Sequence, residues 1–198
     1  MTYIDFHTHA ASADKSVLAV VDGRDTWGIH PWEADSDAVF PADRHPKAIG
    51  ECGLDALRGP SLEVQAEAFI RQIELSEAHG LPLIVHCVKA IEPLLRIRRE
   101  MRPVQPWLYH GFRGKPQQLM SLISAGFYVS FGFHYNAESL RCCPADRLCL
   151  ETDTDPRPIG ALYAEVALQR SITEEDLCAE MAQKFRTFFQ IESVQIQK

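Results

Sequence analysis

From residue 46 onward, short and continuously apolar runs alternate with longer segments whose apolar residues recur at helical spacing, and this alternation narrows the available folds more than any other feature. Ala48-Ile49-Gly50, Leu81 to Val85, Trp107-Leu108-Tyr109, Phe127 to Phe131 and Arg147 to Leu150 read as strands. Between them, Ser61 to Ala78 repeats Leu62, Ala66, Phe69, Ile70 and Ile73 behind Pro60, with Ser61 as an N-cap and His79-Gly80 as the stop. Lys89 to Met101 and Lys115 to Ala125 read as further helices, closed by Pro103 and Gly126. A last helix starts at Thr173, whose hydroxyl can cap it with Asp176 answering, and it buries Leu177, Met181, Phe185 and Phe188. Strands this continuously apolar belong to a parallel sheet covered by helices. Two layouts qualify: a (β/α)-barrel, whose strand ends meet at one mouth, and a doubly wound sheet, whose strand ends spread along a line.

The residues that terminate the runs favour the barrel. His7 and His9 follow the apolar pair Tyr3-Ile4, and alternation along a strand points both imidazoles the same way. Glu51, His86, His110 and Asp153 each stand at the end of another apolar run. A lone histidine such as His86 is ordinarily a hydrogen-bonded core residue. A carboxylate closing a buried strand is costly without a compensating cation, and here two of them accompany four histidines. Six nitrogen and oxygen donors exceed what one tetrahedral ion needs and suggest two divalent ions with positions left for water. Imidazole and carboxylate without thiolate suit zinc or manganese, with magnesium possible at the carboxylate end. Cys52 and Cys87 neighbour two of the candidates, but alternation turns them away from the mouth.

A chain of 198 residues with 46% apolar and 24% charged residues fits one globular domain over 1–198. No stretch has the apolar length of a membrane span, and the N-terminus lacks a basic segment followed by an apolar core, so a cytoplasmic location is expected. The six cysteines form no CxxC pair and read as reduced, mostly structural thiols, with Cys52, Cys87 and Cys149 serving as small hydrophobes in apolar runs. A net charge of −7 argues against broad electrostatic adhesion to nucleic acid, so any phosphate must be held locally.

Six segments carry a resemblance: Asp5-Phe6-His7-Thr8-His9, Gly28-Ile29-His30-Pro31-Trp32, Gly50-Glu51-Cys52-Gly53-Leu54-Asp55, Pro82-Leu83-Ile84-Val85-His86-Cys87, His110-Gly111-Phe112-Arg113-Gly114 and Glu151-Thr152-Asp153. In this order, over nearly the whole chain, the sequence resembles the TatD-type metal-dependent hydrolases, a branch of the amidohydrolase-like TIM barrels. The resemblance implies phosphodiester hydrolysis, with DNA as the usual substrate. It also implies that His7, His9 and Asp153 hold one ion, that His86 and His110 complete a second, and that Glu51 bridges. His30 is implied as a contact to substrate phosphate. Asp153 is the natural group to orient or deprotonate the attacking water, and Glu151 and Asp55 are candidates to support the ligands.

The chain also departs from that pattern. Only 41 residues separate His9 from Glu51, where three strand-and-helix steps of roughly 30 residues each would ordinarily fit. The expectation is therefore a shortened TIM-like barrel with its first helix missing and an irregular second strand. Val17 to Val21 and Thr26 to Ile29 lie close enough across Asp22 to Asp25 to form a hairpin. After Asp153 the chain passes quickly through Thr154-Asp155-Pro156 to Ala161, where the family usually has Ser-Pro and a longer loop. Val88 stands where an Arg is common, with Lys89 next, and Lys184 where Asn is common. Arg113 is a candidate replacement contact to phosphate. Competing readings keep the metals but act on a small phosphoester, an amide or a lactone, or keep them as a non-catalytic site with Trp32, Trp107, Phe131, Phe133 and Tyr135 as an interaction face. Oligomeric state is left open.

Overall fold

The computed structural model describes residues 1–41 and 43–191. Eight strands occur in it: β1 (Tyr3–Thr8), β2 (Val17–Val21), β3 (Thr26–Trp27), β4 (Ala48–Asp55), β5 (Leu83–Val88), β6 (Trp107–Tyr109), β7 (Tyr128–Phe131) and β8 (Leu148–Leu150). The helices are α1 (Leu62–His79), α2 (Ile91–Met101), α3 (Pro116–Ser124), α4 (Ala137–Cys142), α5 (Ile159–Arg170) and α6 (Glu174–Phe188). Strands β3 to β8 form one parallel ladder in sequence order, and β1 and β2 form a second. A parallel bridge between Thr8 and Asp153 joins them. It consists of His9 N–H donating to Asp153 O and Asp153 N–H to His7 O, both at 3.0 Å. The spatial order is thus β3 to β8, then β1 and β2, with the ladder interrupted between β2 and β3.

The hairpin expected across Asp22 to Asp25 does not form. β2 runs parallel to β1, and β3 runs parallel to β4. A hairpin would leave the free edges of β1 and β4 unpaired, and the two runs cover those edges instead. Between them a tight turn passes the chain from one ladder to the other: Val21 O accepts from Asp25 N at 2.8 Å, and the Asp25 carboxylate accepts from Val21 N at 2.9 Å. The second strand is paired over its length, and the irregularity lies in β1, where the register shifts between Asp5 and Thr8. Such a shift re-aims the side chains beside it, here His7.

Among the described residues no helix follows β1 or β2, and a single 3-10 turn, Pro31–Glu33, stands between β3 and β4. Elements from the far end of the chain supply the missing cover. α5 and α6 pack on β1, with Phe6 against Phe185, Phe188 and Phe189 at centroid distances of 5.8, 6.3 and 6.1 Å. Phe40 lies edge-on to Trp27 at 5.2 Å over β3. The Tyr163 hydroxyl of α5 accepts from Ile4 N and donates to Ile4 O, so a side chain does for β1 what a neighbouring strand would do.

Helix α1 shows how local chemistry aims the site. Ser61 caps it and Gly80, at φ 66°, ends it. Its buried stripe of Ala68, Phe69 and Ile73 also carries two glutamines. Gln72 clamps both backbone groups of Ile29, accepting from its N–H at 2.6 Å and donating to its carbonyl at 3.0 Å. Gln65 does the same for Asp55 and also donates to the carbonyls of Arg58 and Pro60. The loops leaving β3 and β4 are thereby fixed to one helix. β4 and β5 approach so closely that a Cβ on Gly53 would lie 2.1 Å from the His86 carbonyl oxygen. No described helix is long and apolar enough to cross a membrane.

Candidate metal centre

All six predicted ligand residues converge at the C-terminal ends of the strands. Glu51, buried on β4, stands between two groups of histidines. Its Oε1 lies 3.0 Å from His7 Nε2 and 2.9 Å from His9 Nε2. Its Oε2 lies 3.0 Å from His110 Nε2, 3.3 Å from His86 Nδ1 and 3.4 Å from His30 Nε2. Asp153 Oδ1 is 3.4 Å from His9 Nε2 and 3.9 Å from His7 Nε2. Asp153 adopts φ 55°, a left-handed conformation that Asp tolerates better than most residues. The bridge that closes β8 onto β1 brackets it on both sides, so its position is fixed by barrel closure itself.

The surroundings of the outer ring nitrogens give the histidines different roles. His86 Nε2 faces Asp55 Oδ2 at 3.3 Å, which leaves Nδ1 as the lone pair toward Glu51. His110 Nδ1 faces Glu151 Oε1 at 3.7 Å, beyond hydrogen-bond distance, and its Nε2 points inward. His30 is the exception. Its Nδ1 accepts from Trp32 N–H at 3.3 Å, so in the neutral ring the proton sits on Nε2 and points at the centre as a donor. His7 is fully buried, and neither of its ring nitrogens has a hydrogen-bond partner.

Supporting carboxylates surround this set. Asp55 Oδ2 also accepts from Trp32 Nε1 at 2.7 Å, and its Oδ1 accepts from Leu57 N at 2.8 Å. Glu151, fully buried, accepts from Gly111 N at 2.6 Å and from the Ser130 hydroxyl. Asp5 accepts from both the backbone N–H and the hydroxyl of Thr152, beside Asp153. Asp5, Ser130 and Trp32 escape sequence reasoning as contributors. Asp5 stands in the same run as His7 and His9, and its short spacing to them is the one signal that could have raised it.

The electrostatics follow from this crowding. Burial opposes the charge on Glu51, but the charge of His110 and the close imidazoles of His110, His30 and His7 outweigh it and hold the carboxyl far below its ordinary range. Burial likewise opposes charge on His110, and the Glu51 and Glu151 carboxylates raise its pKa well above the usual value. Hydrogen bonds to Asp153 and Glu51 push His9 up to about 10. Without another cation, protons on the imidazoles must balance the carboxylates.

A metal fits these residues better than protons do. An unpartnered buried imidazole such as His7 is costly unless its lone pair meets a cation. Donors around one ion at 2.0–2.2 Å bonds stand roughly 3–3.5 Å apart, and most of the gaps around Glu51 fall in that range. Among the described residues three overlapping groups can hold an ion: His7, His9, Glu51 and Asp153; His30, Glu51 and His86; and His110, Glu151 and Asp153. Cys52 and Cys87 take no part. Both are buried, the Cys52 thiol donates to Ile84 O, and burial pushes the Cys87 thiol up to about 12.

A cavity of about 870 Å³ opens from the centre over α2 and α3, lined by His86, Lys89, His110, Arg113, Gln117 and Asp153 among others. Arg113 is exposed at its rim, and a smaller cavity of about 280 Å³ beside it reaches Asp155 and the exposed His134.

Comparison with known proteins bears on this geometry. The 3'-5' ssDNA/RNA exonuclease TatD of Erwinia tasmaniensis is 30% identical over 201 residues, covering 84% of this chain and 78% of its own. The protein of the same name from Salmonella typhimurium is 27% identical over 208 residues, covering 84% and 77%. Among solved structures, YJJV, a TatD homolog from Escherichia coli K12, superposes with a TM-score of 0.74 at 19% identity, covering 91% of this chain and 79% of that one. An uncharacterized amidohydrolase from Saccharomyces cerevisiae superposes at 0.69 and 14% identity, covering 87% and 80%. These neighbours share the barrel described above. Matched by its family model from residue 6 to residue 190, nearly the whole of the barrel and every strand end that carries a candidate ligand, the chain belongs to the TatD related DNase family.

Proposed function

We propose that this chain is a single metal-dependent hydrolase domain that cleaves phosphodiester bonds in single-stranded nucleic acid, using two divalent ions. The observation that carries the reading is Glu51, with one oxygen against His7 and His9 and the other against His30, His86 and His110. A carboxylate so placed is a bridge between two sites. His7, His9 and Asp153 would complete one, and His86 and His110 the other. The nitrogen-rich donor set suits zinc or manganese, and magnesium less well. Bound ions supply Lewis acidity, lowering the pKa of water and offsetting charge that builds on phosphorus.

The chain's own residues do the rest. Asp153, with its side chain 23% exposed and lining the cavity, is the carboxylate ligand that takes the proton of the attacking water. His30 donates through Nε2–H to a phosphoryl oxygen, the role its Trp32 hydrogen bond leaves it. Arg113, at the rim, neutralises a neighbouring phosphate. Asp55 fixes the ring of His86, and the buried Glu151 places a negative charge behind that of His110.

Elemental analysis combined with hydrolysis assays tests this reading. The wild-type protein is expected to hold close to two divalent ions and to degrade single-stranded oligonucleotides. Asp153→Asn should keep most of its metal and lose about 10²–10⁴-fold in kcat, the usual worth of a general base. Glu51→Gln should lose metal from both sites. Turnover of lactones or amides with none of phosphodiesters would move the site to the alternative chemistry. Turnover of nothing by the metal-loaded protein would make it a binding site.

A further inference from the structure

We infer that Trp32 is a stacking platform for a nucleobase of the substrate strand, a reading that rests on the nucleic-acid function proposed above. Of the three tryptophans, Trp107 is fully buried, Trp27 packs against Phe40, and Trp32 is 43% exposed. Its position sets it apart from exposed apolar residues elsewhere on the surface. The indole lies 4.5 Å from the His30 ring and 6.0 Å from the His86 ring, at the edge of the metal centre. A base of a strand whose phosphate sits at His30 is within reach of it.

The ring is also held as a platform must be. Nε1 donates to Asp55, which fixes the indole in its plane, and the backbone is set by the turn Pro31–Glu33. The loop after β4 seats against it so closely that a Cβ on Gly59 would lie 2.8 Å from Trp32 Cα. That loop brings the Arg58 guanidinium to 4.8 Å from the indole centroid. It also brings Leu57, 69% exposed, whose N–H is on the other oxygen of Asp55. An exposed aromatic ring with a cation against it, beside a centre that handles phosphate, is the composition of a single-strand binding surface. Stacking on such a ring tolerates any base because every base has a π-face. A chain of net charge −7 has little general attraction for nucleic acid, so affinity must come from local contacts of this kind.

Trp32 also touches Asp55, and through it His86, so the test must separate stacking from positioning. Hydrolysis of a short oligothymidylate is compared with that of an abasic strand of equal length, for wild type, Trp32→Ala and Trp32→Phe. Trp32→Ala is expected to raise KM for the oligothymidylate about 5- to 150-fold more than KM for the abasic strand, on which any loss reports only the missing hydrogen bond to Asp55. Trp32→Phe, which keeps a ring but loses the N–H, should retain most of the affinity. In the metal-free protein, oligothymidylate should quench the wild-type tryptophan fluorescence and leave that of Trp32→Phe unquenched. Equal losses in both variants on both strands, chiefly in kcat, would assign Trp32 to the support of Asp55 and overturn the inference. If the wild type cleaves neither strand, the nucleic-acid reading itself falls, an outcome visible before any variant is made.

Discussion

At the scale of single residues, His9 shows how protons and metal compete for one site. Its pKa of about 10 in the metal-free protein lies above the ordinary 6.5, because Asp153 and Glu51 hold the imidazolium. The folded state therefore binds the proton more tightly than the unfolded one. That stabilisation is fully present below about pH 6.5 and is lost as the pH rises through about 10. Metal binding needs the neutral ring and must expel the proton, so apparent metal affinity should rise with pH over the same window, by up to about tenfold per unit for one displaced proton. The expected result is that the melting temperature of chelator-treated protein falls between pH 6.5 and 10. Added zinc or manganese should stabilise more at the upper end of that range. Parallel melting curves with and without metal would contradict the competition. The convergence of the candidate ligands was legible from the sequence because each stands where an apolar run ends. Asp5, Ser130 and the link from Trp32 to Asp55 were not, since each partnership joins residues from different strands and loops that only the folded barrel brings together.

At the scale of elements, the stretch from β1 to β4 has lost the helices that would ordinarily stand between its strands, and side chains from elsewhere now satisfy its backbone. Gln72 of α1 is the sharpest instance, since it meets both the N–H and the carbonyl of Ile29 in the interior. Gln72→Ala should cost about 2–4 kcal/mol, the sum of two buried backbone groups left without partners, measured by urea unfolding. The same change should loosen the loop that carries His30, raising KM while leaving metal content intact. An effect below about 1 kcal/mol would mean that water replaces the amide. The sequence showed that helices had been lost here, from the count of residues alone, yet it pointed to a hairpin. Nearness along the chain favours a hairpin, whereas the edges that actually pair with β2 and β3 belong to β1 and β4 and are visible only in three dimensions. α5 was hidden for a different reason: Leu168 is 79% exposed, so its apolar residues do not form one clean stripe. Helices α1, α2, α3 and α6, with stripes and stops that agree, stand within a residue or two of where the pattern put them.

For the molecule as a whole, the barrel is two ladders rather than one, and the proposed metal ions would sit across the seam. His7 and His9 belong to β1 and its exit, Glu51 and His86 to β4 and β5, and Asp153 to the bridge where β8 meets β1. Ions shared among these residues would tie the β1–β2 pair to the six-stranded ladder, adding cross-links where backbone pairing is sparse. Occupancy at 100 times the dissociation constant stabilises a fold by about 2.7 kcal/mol per site. For a chain of this size, that corresponds to about 5–10 °C in melting temperature for each ion. Removing both ions should therefore lower the melting point by about 10–20 °C, and the loss should be uneven. Amides of β1 and β2 should gain hydrogen exchange well before those of β5 and β6, which are paired on both sides within the larger ladder. Exchange that rises equally in all strands on chelation would show that the ions stabilise the barrel generally and do not clamp the seam. A melting point unmoved by chelation would remove the metal from the structural argument altogether, while leaving the geometry around Glu51 in need of another cation.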